Sequence, residues 1–539
     1  MSFRLKHAVG SNGLTLIISG GPHLSSLDDK LLAFHNLTTL EEMEIAGSPN
    51  LSYLSWNSLQ QLTFLKRLTL SNCPKVFSSF PTGYSLPPSL EDLDLSRCGI
   101  TGSQLSEVLV SLTNLSSLRI AHCDKVRSLA VGLLTDEMDL MPKGLCHIPL
   151  NSLMRMHKLH ISSDMHFLSS KGFGEFVSLK ELVIKGCAEL LRTMLLQAEM
   201  ESSNSIILPS SLLHLMTDCL PDELLQHSRL TSLVQLDLEQ SPSLTSVNLL
   251  SCTALQKLVI KKCDLLASCE GFQSLARLST MIVMDCPSLV SLALQSCSSL
   301  RHLHVEGCHA LYTLESLVHL PLLAELHLIE NRNLISLKLH SHAALESLNV
   351  QGCPALSSFE HLKSLGHLIN LEIRKAPGFV SAWNHMAQEA EITNQELCLP
   401  LQTLHIDDLS FLTTAICRNL ISLKKLCICT LDFDDVDCHM RRFTDEQQEA
   451  LQRLNSLQRL ELLSMTYLQM LPSELHCLPS LQHLIIKNCE SIKSLPEKGL
   501  PASLKLLDVD KCSTELYEQC QHVRGLQWLY IRGRKQEKG

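Results

Sequence analysis

From Leu278 to Leu311 the chain reads LSTMIVMDCPSLVSLALQSCSSLRHLHVEGCHAL, and apolar residues fall at the same places in it three times, eleven residues apart. Leu278, Leu289 and Leu300 each open a copy of L-x-x-L-x-L-x-x-C-x-x, with Met or Val standing at some apolar places. Over the middle of the chain the phrase opens at Leu233, Leu255, Leu278, Leu300, Leu323, Leu345 and Leu368, at alternating spacings of 22 and 23 residues. Extra copies open at Leu244, Leu289 and Leu334, halfway through every second interval, so the array has a superperiod of 45. The alternation inside L-x-L is that of a β-strand: the two apolar residues point inward, and the residues between and beside them point out.

A repeat of this length built on this phrase predicts an α/β fold, a leucine-rich-repeat solenoid with one strand per coil. Upstream the phrase opens at Leu40, Leu65, Leu90, Leu115, Met156 and Leu179, and downstream at Leu401, Leu423, Leu457, Leu481, Leu504 and Leu526. A weak copy lies near Leu212, and Leu16 with Ile18 form the inner pair of another. The expectation is a curved horseshoe of about twenty coils with a parallel sheet on its concave face. The halfway copies should form short extended segments on the opposite side. Alternate coils carry helix-compatible spans there, such as LASCEGFQSLARL and LYTLESLVHLPLL. Residues 1–539 read as one array without an internal boundary. Residues 1–15 look too short for a polar cap and suggest an incomplete or frayed end. The intervals from Leu115 to Met156, Leu179 to Leu233 and Leu423 to Leu457 are too long for one coil, and that from Leu368 to Leu401 is a milder case. Residues 429–456 read as an insertion with a short helix, opened by Thr444 with Gln447 three residues on, the pattern of a capping box. Residues 532–539 form a basic tail.

Composition narrows the function. The chain is 45% hydrophobic but only 4% aromatic, so its core must be aliphatic, and its net charge of −10 argues against nucleic acid as main partner. No apolar run is long enough for a membrane span. Ten of the 22 cysteines stand at the C place of the phrase: Cys73, Cys98, Cys123, Cys187, Cys263, Cys286, Cys308, Cys353, Cys489 and Cys512. A small buried thiol that satisfies turn backbone explains them better than disulfides, and a reducing cytoplasm fits. Asn36, Asn50 and Asn114 open N-x-S/T triplets, which taken alone would favour secretion.

The stretch Leu471 to Cys520, LPSELHCLPSLQHLIIKNCESIKSLPEKGLPASLKLLDVDKCSTELYEQC, resembles the closing repeats of plant nucleotide-binding leucine-rich-repeat disease-resistance proteins, particularly the coiled-coil-bearing group common in cereals. FTDEQQEALQRLNSLQRLEL, Phe443 to Leu462, is similar to the same group. The chain holds no G-x-x-x-x-G-K-[S/T] phosphate loop, and its repeats begin almost at Met1, so nucleotide binding is not carried over and no cofactor is expected. The resemblance implies the sensor part: a cytoplasmic surface that recognises a pathogen or host protein, or restrains a nucleotide-binding switch module, in innate immunity. Plant extracellular receptors repeat N-x-L-x-G-x-I-P instead, to which only CGITGSQL at Cys98 comes close. A substrate-recognition subunit of a ubiquitin ligase and an inert scaffold are the rival readings.

The candidate binding surface is the outward strand residues. Its central column, the x of L-x-L, includes Arg119, His160, Asp237, His304, His327, Glu372, His405, Asp508 and Tyr530, with the apolar residues Val183, Val259, Ile282 and Ile485 among them and Arg301 and Arg374 beside them. Apolar residues ringed by charge suit a protein partner. His302, His304 and His327 should be neighbours, too few for a firm zinc site. Cys427 and Cys429 flank Ile428 and should face outward. The acidic run Asp432 to Asp437 lacks the Gly and Glu of a calcium loop. Neither G-x-S-x-G nor H-E-x-x-H occurs, so no catalytic site and no metal site are expected.

Overall fold

Each L-x-L phrase of a full coil, the halfway copies apart, is a strand. The computed structural model describes residues 2–7, 13–131, 144–162, 166–167, 172–201, 207–226, 228–338, 344–360, 365–392, 399–430 and 441–536, and their packing forms two units, Met1–Leu278 and Ser279–Gly539. In the first unit the strands Leu14–Ser19, Leu40–Ala46, Arg67–Ser71, Asp92–Ser96, Ser117–Ala121, Lys158–Ser162, Glu181–Ile184, His214–Thr217, Gln235–Glu239 and Lys257–Lys261 pair in that order, all parallel. The weak copy near Leu212 is thus a full coil. In the second unit Thr280–Met284, His302–Glu306, Glu325–Ile329, Ser347–Gln351, Asn370–Arg374, Thr403–Ile406, Lys425–Cys429, Arg459–Leu463, His483–Lys487, Leu506–Asp510 and Trp528–Ile531 do the same. Ser2–His7 runs antiparallel on Leu14–Ser19, and Arg534–Lys535 antiparallel on Trp528–Ile531, so an antiparallel partner takes the hydrogen bonds of each of these strands. Lys535 also sets its ammonium 4.1 Å from the Trp528 ring centre.

The inward residues are shut away from water: Leu236, Leu238, Leu303 and Val305 are all 0–1% exposed. Each such side chain contributes about 1.5–3 kcal/mol of burial.

Most strands end in one turn. The next residue is left-handed, as at Asn72 (φ 54°), Arg97 (51°), Lys262 (54°), Asp285 (53°), Glu330 (52°) and Asn488 (56°), with glycine at Gly307 and Gly352. Outside glycine this conformation costs about 1–2 kcal/mol. It is held because its N–H donates to the strand-end carbonyl of the next coil: Asn72 to Ser96 at 2.8 Å, Asp285 to Glu306 at 2.8 Å, Glu330 to Gln351 at 2.8 Å. The turn aims the following residue inward. There Cys98 Sγ reaches Leu70 O of the preceding coil at 3.1 Å, Cys123 reaches Leu95 O at 3.4 Å and Cys489 reaches Leu462 O at 3.6 Å. Burial pushes the Cys353 and Cys308 thiols up to about 11, so they stay protonated. Where the repeat carries Asn331 instead, Nδ2 donates to Val305 O at 2.8 Å. None of the cysteines among the described residues is in a disulfide. Two of the three sequon asparagines also bridge coils: Asn50 donates to Pro22 O at 2.8 Å and Asn114 to Pro88 O at 3.1 Å.

The side opposite the sheet departs from expectation. Two halfway copies do give short strands, Ser246–Asn248 and Ser336–Lys338, but the copy at Leu289 turns into the 3-10 helix Leu294–Ser296. The helix-compatible spans hold a short strand and then a 3-10 helix, Phe272–Ser274 or Glu315–His319. An α-helix with side chains is about 10–12 Å wide, against about 4.8 Å between coils, so the tighter 3-10 turn fits a 22–23-residue coil better. Longer α-helices stand in the lengthened intervals: Ala188–Glu201, Pro377–Ile392 and Asp445–Gln452. The last opens with the expected capping box, Thr444 N to Gln447 Oε1 at 2.9 Å and Gln447 N to Thr444 Oγ1 at 3.3 Å. A second box, Thr101 with Gln104, opens Gly102–Ser111. A Cβ on Gly102 would lie 2.4 Å from the Leu145 carbonyl carbon, so only glycine lets that helix reach the next segment. The few aromatics cluster on this side, as Trp56–Phe77–Phe80 and Phe379–Trp383–Phe411. The acidic run Asp432 to Asp437 lies outside the described residues.

Candidate protein-binding face

In the second unit the x of L-x-L lines up strand by strand. Ile282 is paired with His304, His304 with His327, His327 with Asn349, Asn349 with Glu372, Glu372 with His405, and His405 with Cys427. The row continues through Glu461, Ile485 and Asp508 to Tyr530. Parallel pairing in register forces this, because each coil repeats the same alternation about 4.8 Å from the last. The His304 and His327 rings stack with centres 5.6 Å apart. Carboxylates engage the neighbouring ring nitrogens: His304 Nε2 is 2.9 Å from Glu306 Oε2, and His302 Nδ1 is 3.0 Å from Glu325 Oε2. Burial, with the like charge of His304, lowers the His327 pKa. Farther along, His405 Nδ1 lies 3.9 Å from Glu372 Oε1 and Arg374 lies 2.9 Å from it. His405 and Arg374 hold the Glu372 carboxyl below its ordinary range against the opposing effect of burial. Burial pushes the Glu461 carboxyl up, but hydrogen bonding from Arg459 and the charge of Lys425 outweigh it and leave it lowered. Arg301 stands exposed just before the strand His302–Glu306.

In the first unit the corresponding row runs Asp94, Arg119, His160, Val183, Met216, Asp237, Val259. Arg119 Nε lies 3.8 Å from Asp94 Oδ2. Burial, with the like charge of Arg119 and Lys185, lowers the His160 imidazole to about 4. An unfolded chain protonates this ring near pH 6.5, so below that pH the unfolded state binds more protons than the folded one. The stability owed to His160 is therefore whole above pH 6.5 and lost as pH falls towards 4. The urea midpoint should fall across this window, and His160→Gln should flatten that dependence; an unchanged slope in the variant would refute the assignment.

Outward position does not guarantee exposure. Val259 (5%), Ile485 (7%) and Asp237 (7%) are buried, whereas Val183, Ile282, His304, His327, Glu372, Arg374, His405 and Tyr530 are half-buried and Arg119 is exposed. Cys427 and Cys429, expected to be exposed, are 3% and 4% exposed. The Glu461 side chain of the next strand meets Cys427, and burial pushes the Cys427 thiol up to about 12. Met216, Asn349 and Glu461 belong to the rows although the sequence reading did not single them out. The same L-x-L rule finds them once the coils at Leu212, Leu345 and Leu457 are threaded as strands. Among the described residues, no helix is long and apolar enough to cross a membrane.

No protein-family model matches the chain, and no curated protein matches it. Among solved structures it is similar to a leucine-rich-repeat protein of Leptospira interrogans, at 16% identity over 92% of this chain and 96% of that chain, with a TM-score of 0.43. It is also similar to the plant peptide hormone receptor RGFR1 in complex with RGF2, at 13% identity over 92% of this chain and 88% of that chain, with a TM-score of 0.35. The coil's own geometry, with its registered L-x-L strands and inward-turned cysteine, makes each unit an α/β leucine-rich-repeat solenoid.

Proposed function

We propose that the chain is a protein-binding sensor region of plant innate immunity, acting in the cytoplasm. Its outward strand residues would recognise a pathogen or host protein, or hold a nucleotide-binding switch module. The carrying observation is the row from Ile282 to Tyr530, which sets apolar and charged side chains side by side on an open sheet face. Such a face spreads contacts over many strands and surrounds apolar patches with charge, as protein interfaces do. The likeness of Leu471 to Cys520 to the closing repeats of cereal resistance proteins supports the immune setting.

The test is co-expression in leaf tissue with a nucleotide-binding module of the coiled-coil-bearing group and with candidate pathogen products, followed by co-precipitation. Ile282→Glu combined with His327→Ala should weaken capture by at least about tenfold, the loss of one hot spot. Val290→Glu, at a position 55% exposed outside the main sheet, should leave it unchanged. Capture indifferent to the face variant would sink the reading.

A further inference from the structure

On the second unit, away from the main sheet, the coil that follows the strand Arg459–Leu463 turns through the 3-10 helix Leu475–Cys477. Leu475 is 1% exposed and anchors that turn in the core. Residues three apart eclipse one another in a 3-10 turn, so Glu474 and Cys477 share one edge, with His476 beside them. Three unlike donor atoms meet there. Cys477 Sγ is 3.3 Å from His476 Nε2 and 3.7 Å from Glu474 Oε2, and His476 Nε2 is 3.9 Å from the same Oε2. A point equidistant from the three atoms lies about 2.1 Å from each, within the roughly 2.0–2.3 Å of zinc bonds to oxygen, nitrogen and sulfur. The second carboxylate oxygen, Oε1, accepts from Lys498 Nζ and from the Ser473 hydroxyl, which leaves Oε2 turned to the sulfur. Cys477 is exposed, whereas the other cysteines among the described residues are buried or half-buried.

We infer that Glu474 Oε2, His476 Nε2 and Cys477 Sγ bind one divalent ion of the zinc class, with the fourth position open to water. A sulfur, an imidazole and a carboxylate together select a borderline-soft ion over calcium or magnesium. Binding replaces the thiol proton, which leaves to solvent. His476 Nδ1 is enclosed without a hydrogen-bond partner, so the ring lacks the carbonyl or carboxylate that usually backs a metal-bound imidazole. With the Lys498 ammonium on the same carboxylate, this makes the site weaker than a closed four-ligand structural centre, and its ion exchangeable.

The full chain, reduced and stripped of metal with a chelator, is titrated with cobalt(II). The expected result is one equivalent bound with a thiolate-to-cobalt charge-transfer band and tetrahedral d–d bands, all displaced by zinc. Cys477→Ser should abolish the charge-transfer band. His476→Ala should weaken binding by at least about a hundredfold, since losing an outer partner alone costs about 10–100-fold. Cys219→Ser and Cys512→Ser, at the two half-buried thiols, should leave the band intact. Thermal melts matching the parent's show that the variants fold. Absence of the band in the parent, or its survival in Cys477→Ser, would overturn the assignment.

Discussion

Trp383→Ala is expected to lower the unfolding free energy by about 3–5 kcal/mol, the cost of deleting a buried tryptophan. Trp383 lies in the helix Pro377–Ile392, is 1% exposed, and packs between Phe379 and Phe411 with ring centres 5.5 and 5.8 Å away. In a core that is mainly aliphatic, these three rings fix a helix that replaces the usual turn. The space left by the indole is too large for neighbouring leucines to fill. Trp383→Phe should cost less than half as much, because it keeps a ring and removes an indole N–H that is enclosed without a partner. Ile392→Ala, at 84% exposure near the same helix's end, should change stability by less than about 0.5 kcal/mol. Urea unfolding of the three variants ranks them; a Trp383→Ala cost below about 1 kcal/mol would mean that the helix is not docked as described.

The second large effect is at Asn331, which is 0% exposed. Its Nδ2 donates to Val305 O at 2.8 Å, and its Oδ1 accepts from Cys308 N at 3.0 Å. Asn331→Ala leaves the Cys308 N–H buried and unpaired and takes a second donor from Val305 O, whose strand pairs with the next coil, at about 1–3 kcal/mol. Asn331→Cys should fall between parent and alanine. The cysteine one coil on, Cys353, already shows what a thiol does in this place: its Sγ lies 3.7 Å from Leu328 O and 3.3 Å from Gln351 O. A thiol donates weakly to the carbonyl but does not accept from Cys308 N as an amide oxygen does. If the cysteine variant were as unstable as the alanine one, the shared role of Asn and Cys at this turn would be wrong.

The coils were legible because leucine spacing carries two periods at once, strand alternation and coil length. Leu16 with Ile18, and the faint copy at Leu212, sufficed to mark real strands. Capping chemistry is written in the sequence at both helix starts. Thr444 with Gln447 stands out ahead of a polar helical run, whereas Thr101 with Gln104, the same T-x-x-Q, is masked inside CGITGSQL. The 3-10 turns at Phe272–Ser274 and Glu315–His319 were not legible, because their apolar pattern also suits an α-helix. Their form follows from the spacing of neighbouring coils. The left-handed residues were hidden for a similar reason. Arg97, Lys262 and Glu330 give no local sign of a positive φ, which the ladder to the next coil imposes.

Local order along the chain was enough to say which side chains turn inward, since alternation within a strand needs no partner. It was not enough to say which outward side chains meet water. Asp237, Val259, Cys427, Glu461 and Ile485 occupy outward places and are nonetheless buried. Their in-register neighbours on flanking strands lie 21 to 34 positions away in the chain. Glu474 and Lys498 meet by the same route. Burial and charge pairing across coils depend on distances in space that stacking creates, and residues adjacent in the chain do not contain them.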